Sequence, residues 1–306
     1  MDSLVKIWGT PAAEEIYVLA GWRQWADAGS ISSGLPQYLI EERGAQPVGE
    51  IRRDGFYLFQ TPGTHHLLRP EIKLEEGHRV SLRKPSNDFF YTESNGKGLV
   101  IFLGEEPHLN IERYAAAFLD GVEALGARRV VAVSGVYGMM PYSRDREVSC
   151  IYSLPRLKEE LGDYAVKFSN YEGGATVGAC IADQAEARGI EFIDFYAFVP
   201  AYDFTQFTTE IQGIRIEYDF RAWYEIMRRV NHMFGLGLDL SELERRSYEL
   251  NESIENEVRE LDRRMADFDV VDFLSQLDEA FEEKSFMPME DLWERELGDI
   301  LDDFDE

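Results

Sequence analysis

Only two cysteines, Cys150 and Cys180, stand in 306 residues, and no Cys-x-x-Cys spacing joins them, so neither a disulfide scaffold nor a cysteine-built zinc module is expected. Basic side chains are scarce as well. Thirty-one Lys and Arg face 58 Asp and Glu, for a net charge of −27. A field of that sign repels phosphate backbones and anionic lipid, which excludes nucleic acid as a partner. Five histidines, His65, His66, His78, His108 and His232, include no His-Glu-x-x-His pair, so no metal is expected. Long apolar runs are missing too: the longest, such as 99–103, are strand-sized, far below the roughly 18 residues needed to cross a bilayer. The opening stretch MDSLVKIWGTPAAEE has neither the basic flank nor the apolar centre of a secretion signal. These absences predict a cytoplasmic protein with no membrane partner.

What is present is a globular composition, 44% apolar, with its charge unevenly spread. From Asp239 onward 25 acids face 7 bases, with one proline, Pro288, and one glycine, Gly298. Within this part Leu243, Leu250, Ile254, Leu261, Met265 and Phe268 recur at helical spacing, and Ser241 with Glu244 forms a capping-box pattern. Weaker helical patterns follow through Val271, Leu274, Leu277 and Phe281, and through Met289, Leu292 and Leu297. We therefore divide the chain into residues 1–238 and an acidic helical extension, 239–306, whose apolar stripe is expected to pack on the body or across a subunit boundary.

Residues 1–238 alternate short apolar runs, glycine and helical patterns. Strands are expected at 16–20, 99–103, 130–133, 164–168 and 192–199. Helices are expected from Asp27 to Arg43, after Asn110 as N-cap, and over 176–187. The aromatic stripe Phe220, Trp223, Tyr224, Met227, Val230 and Phe234 has helical spacing and suits core or a subunit contact. Strand, glycine and helix in repetition predict an α/β sandwich of three layers around a mostly parallel sheet. Patches at 56–59, 79–82 and 89–92 interrupt the rhythm and suggest antiparallel strands at one edge.

Ligand sites in such sheets form beyond the carboxyl ends of the strands. The loops there supply the candidates. Glu105 and Glu106 are neighbouring carboxylates able to act as acid and base, or as a solvated residue and a helix cap. Asp27 could be a catalytic carboxylate or cap its helix. Arg144, beside Tyr142 and Ser143, could clamp an anion or pair internally with Glu105, Glu106 or Asp27. The turn 173–178 has a Gly-x-x-x-x-Gly skeleton, but Ala179-Cys180 replace the Lys-Ser/Thr of a phosphate loop. It could hold an anion on backbone N–H groups, or bring a small-residue helix close to the sheet. Ser134 lacks the preceding glycine of a nucleophile elbow. No cofactor is expected.

Taken in order, Gly21-Trp22 with Asp27-Ala28-Gly29, Gly104-Glu105-Glu106-Pro107, Pro141-Tyr142-Ser143-Arg144, Gly173-Gly174-Ala175-Thr176 and Val199-Pro200-Ala201-Tyr202 resemble the proteasome assembly chaperone 2 family, and the helical tail is similar to that family's C-terminal part. The resemblance implies a phosphorylase/hydrolase-like sandwich, self-association with a trimer favoured, and a role in helping proteasome-type subunits assemble. It also implies binding positions at Trp22, Asp27, Gly29, Glu105, Glu106, Tyr142, Arg144, Gly173, Gly174, Thr176 and Tyr202. Some members carry an ATP-grasp label, but this chain has no lysine-bearing nucleotide signature. Family members commonly carry histidine where Tyr142 and Ala201 stand, so an imidazole-based activity is not expected to carry over. Residues 23–26 are extra, and Phe304-Asp305-Glu306 lacks the tyrosine of a tail-docking tripeptide.

Two functions follow from these readings. One is a non-enzymatic assembly factor, acting as a homo-oligomer. The other is a phosphorylase- or hydrolase-like enzyme using Glu105 or Asp27 as acid/base, with Arg144 and the 173–178 turn holding an anionic substrate.

Overall fold

The computed structural model describes residues 3–59, 69–202, 204, 213–264 and 270–282. Its middle layer is a mixed ten-stranded sheet. Numbered in chain order, the strands lie side by side as β1 (Val5–Ile7), β3 (Gln46–Ile51), β6 (Asp88–Ser94), β7 (Lys97–Glu105), β2 (Ile16–Arg23), β8 (Arg129–Gly138), β11 (Glu191–Tyr202), β9 (Val148–Tyr152) and β10 (Lys167–Phe168), with β12 (Ile214–Arg215) on the end of β11. The central strands β7, β2, β8 and β11 are parallel. Antiparallel pairing extends the sheet through β6, β3 and β1 on one side and β9 on the other.

The central strands are unbroken apolar runs because both their faces are covered. Along β2, Tyr17 and Leu19 face a layer made by α1 (Gly34–Glu42), α5 (Phe220–Phe234) and α6 (Ser241–Arg264). Ile16, Val18, Ala20 and Trp22 face α2 (Ile111–Ala124) and α4 (Val177–Arg188). The first core also takes in α3 (Leu157–Gly162) and α7 (Val270–Ala280). Leu243, Ile254, Val258 and Leu261 of α6 are buried in that core, so the apolar stripe of the acidic helix packs on the body as expected. Met265, Phe268, the 289–297 pattern, the His65-His66 pair and 304–306 lie outside the described residues.

Several local expectations are corrected. The first helix starts at Gly34 rather than Asp27, after a single tight turn at Ala28–Ser30 in which Gly29 has φ +62°. Asn110 stands at the start of α2 but does not cap it; its amide donates instead to the Gly55 carbonyl at 2.8 Å. Ser241 is the first residue of α6, and Asp239 accepts from its N–H at 2.9 Å. Residues 89–92 belong to the antiparallel edge, in β6, but 56–59 form no strand. The 79–82 patch belongs to β5 (His78–Arg83), which among the described residues pairs only with β4 (Glu71–Glu75), in a separate two-stranded arm. No described helix is long and apolar enough to cross a membrane.

Candidate functional site

Strands β2, β7, β8 and β11 end together at one rim, where Arg23, Glu105, Gly138 and Tyr202 are their last residues. Parallel register sets Arg23 beside Glu105, with 3.5 Å between Nη1 and Oε1. Burial pushes the Glu105 carboxyl up, against the pull of Arg23 and Arg83. Asp27 accepts from the Ser33 N–H at 2.9 Å and the Ser33 hydroxyl at 2.6 Å; burial raises its carboxyl too, and Arg23 is the cation that opposes this. Asp27 therefore holds the loop leading into α1. Glu106 turns toward α4, where the Val177 N–H partly offsets the upward push of burial.

Arg144 sits elsewhere. Its Nε and Nη2 grip both carboxylate oxygens of Asp278 on α7, at 2.8 and 2.7 Å, and Ser143 adds a bond at 2.7 Å. The internal pairing foreseen for Arg144 thus occurs, but with Asp278 rather than Glu105, Glu106 or Asp27. Asp278 lies 134 residues further along the chain, and only the docking of α7 brings it near. Tyr142 offers its carbonyl to Arg146 at 3.0 Å. Tyr202 is buried and donates to the Met140 carbonyl at 2.6 Å. Trp22 is buried against Phe102 and Phe118, and its indole N–H donates to the Tyr114 hydroxyl at 2.9 Å.

The glycine turn ends in Thr176, whose hydroxyl caps α4 by accepting from the Ala179 N–H at 3.1 Å and lies 2.7 Å from the Tyr196 hydroxyl. Gly173 and Gly174 are exposed. The first turn of α4 already faces carboxylates, Glu106 at Val177 and Asp194 at Gly178. A helix N-terminus attracts an anion, and here the protein's own side chains supply it.

Two buried groups escaped the sequence reading. Arg146 and Asp219 form a fully buried ion pair at 2.7 Å, in which Arg146 also donates to the Tyr142 and Arg144 carbonyls while Asp219 caps α5 through the Ala222 N–H. Asp219 sits under Gly29, where an added Cβ would come within 2.7 Å of it. The pair lies between the loops after β2 and β8, and the Nη2 of Arg146 is buried there without a hydrogen-bond partner among the described residues. The second group is Asp194 on β11, which accepts from Ser134 at 3.0 Å and is pushed by burial up to about 7. A lone acid in Phe192-Ile193-Asp194-Phe195 is a readable signal. Arg146 had none, because its partner is 73 residues away.

Beside the Arg146–Asp219 pair the rim exposes Trp25, Tyr137, Met139 and Tyr218. Beside it runs an open groove of about 500 Å³ bounded by Tyr38, Trp223, Arg23 and Arg83. Among the described residues, no three His, Cys, Asp or Glu side chains gather as they would around a metal ion. Fold and rim together define a three-layer α/β sandwich that presents aromatic side chains around the buried Arg146–Asp219 pair.

The chain belongs to the PAC2 family, whose model matches residues 22–258. Its fold is similar to that of the Mycobacterium tuberculosis proteasome-assembly chaperone homologue Rv2125, at 20% identity and TM-score 0.70, covering 84% of this chain and 99% of that one. A PAC2 family protein from Streptomyces avermitilis aligns at 19% identity and TM-score 0.68, covering 85% and 99%. Pyrococcus furiosus PbaB, an archaeal proteasome activator, aligns at 18% identity and TM-score 0.57, covering 82% and 97%. No curated protein matches the sequence.

Proposed function

We propose that this chain is a non-enzymatic, cytoplasmic assembly factor that binds proteasome-type subunits and works as a homo-oligomer. Membership of the PAC2 family and the likeness to an archaeal proteasome activator support a chaperone-like role. The observation that carries the reading is the crevice. Where an α/β enzyme would hold its substrate, the buried Arg146–Asp219 pair lies instead. Glu105 is paired with Arg23 and Asp27 is held by Ser33, while the cation assigned to a substrate, Arg144, is bound to Asp278.

Around the Arg146–Asp219 pair, Trp25, Tyr137 and Met139 are large apolar side chains left in water, the residue types that anchor protein contacts. In this reading they make the contact together with Glu106 and the exposed turn at Gly173 and Gly174. Trp22, Asp27, Gly29, Glu105, Tyr142, Arg144, Thr176 and Tyr202 serve it indirectly, by fixing the loops. The division into a body, 1–238, and an acidic extension, 239–306, assigns the rim to the body.

Native mass spectrometry of the purified chain mixed with purified proteasome core subunits tests this. A complex that weakens at least about tenfold in Trp25→Ala/Met139→Ala is expected. Absence of any complex, or turnover of a phosphate-ester or nucleoside library that depends on Glu105, would overturn it.

A further inference from the structure

The arm formed by β4 and β5 leaves the sheet between β3 and β6 in the chain and, among the described residues, pairs with no other strand. Every residue of both its strands is exposed. Its register sets Ile72 opposite Leu82. A bulge between Lys73 and Leu74 then sets Leu74 opposite Arg79, so Ile72 and Leu74 share one face of β4 while Val80 lies at the bulge, two residues before Leu82 on β5. Their exposures are 57, 54, 50 and 37%. Charged residues, Glu71, Lys73 and Glu75 among them, take the other face of β4. The pattern is that of a half-buried ribbon whose apolar side chains no described residue covers. A ribbon of two strands is marginal in water alone and needs a covering layer.

Three observations identify the cover. First, charge: between Arg69 and Lys84 five basic side chains face three acidic ones, a local excess of cations in a chain of net −27, so the surface of any further copy is complementary to the arm. Second, size: a standard interface takes about 20–30 residues a side, and the fully exposed strands β4 and β5 supply eleven of them. The arm rises from the rim, where Arg83 reaches Glu105 at 3.9 Å. Third, stoichiometry: a face that must stay covered needs a partner always present in equal amount, which a transient client is not.

We infer that the apolar face of the 71–83 arm is buried against a second copy of this chain, making the arm the clasp of the homo-oligomer. The inference rests on the homo-oligomer reading above.

Light scattering on the full chain tests it, comparing the wild type with Ile72→Ser/Leu82→Ser over a dilution series. The expected result is an oligomer whose dissociation constant rises at least about tenfold in the variant, with an unchanged melting curve for the body. An oligomer of undiminished affinity in the variant overturns the clasp and leaves self-association standing. A wild type that is monomeric at every concentration overturns both. If the variant aggregates or melts early, hydrogen exchange of the wild-type arm decides. Amides at 71–83 protected in the oligomer and exposed on dilution support the clasp; protection independent of concentration overturns it.

Discussion

Arg146 lies at the centre of the crevice, and breaking its pair with Asp219 leaves a bare carboxylate in the interior. Such losses cost about 3–5 kcal/mol, because the remaining charge has no water to turn to. Arg146→Met should lower the urea midpoint accordingly, and an unchanged midpoint would mean that the crevice opens to solvent. Asp194 acts through its proton. Its carboxyl is raised from 3.8 to about 7, so the native state holds the proton more tightly than the unfolded chain does. The cost of the bare carboxylate is therefore complete above about pH 7, shrinks as the pH falls toward 4 and vanishes below the unfolded value. It is on the order of 4 kcal/mol. Asp194→Asn should melt higher than the wild type at pH 8, with the difference closing by pH 4. A constant difference across that range would show that the carboxyl does not titrate as described. Of these groups, only Asp194 could be seen beforehand, as an acid inside an apolar run.

Helix α4 shows how one close approach shapes an element. Alanine is normally favoured over glycine inside a helix by about 1 kcal/mol. At Gly178 a Cβ would come within 2.0 Å of Asp194 Oδ2, and the carboxyl, buried and bonded to Ser134, must shift to make room. Overpacking of this kind costs about 1–3 kcal/mol, so the clash outweighs the propensity. Gly178→Ala should therefore destabilise the wild type but be tolerated in an Asp194→Ala background, as a double-mutant cycle of denaturation midpoints would report. Independent, additive losses would refute the contact. The small residues of Gly173 to Cys180 announced a helix close to the sheet. What they did not announce was the carboxylate beneath it, because which strand lies under α4 is decided by topology. The same limit explains the arm: Arg79 to Leu82 has the β pattern of an edge strand, yet it pairs with β4 and stands clear of the sheet.

At the scale of the whole molecule, α6 shares its core with α5 and the sheet through Leu243, Ile254, Val258 and Leu261. Removing residues 239–306 would uncover the apolar surface these side chains fill, each worth up to about 2 kcal/mol when buried. The truncated chain should aggregate or change its oligomer size on gel filtration; a soluble species of unaltered assembly state would contradict this. Composition and periodicity by themselves determined the class of fold, the four parallel central strands and the apolar stripe of α6. Those features depend on local alternation of apolar and polar residues, which is written along the chain. Tertiary structure alone decided that Arg144 meets Asp278, that Arg146 pairs with Asp219, and that one ribbon leaves the sheet. Each depends on groups far apart in sequence brought within a few ångströms, and a charge or an edge carries no mark of its distant partner until the layers are packed.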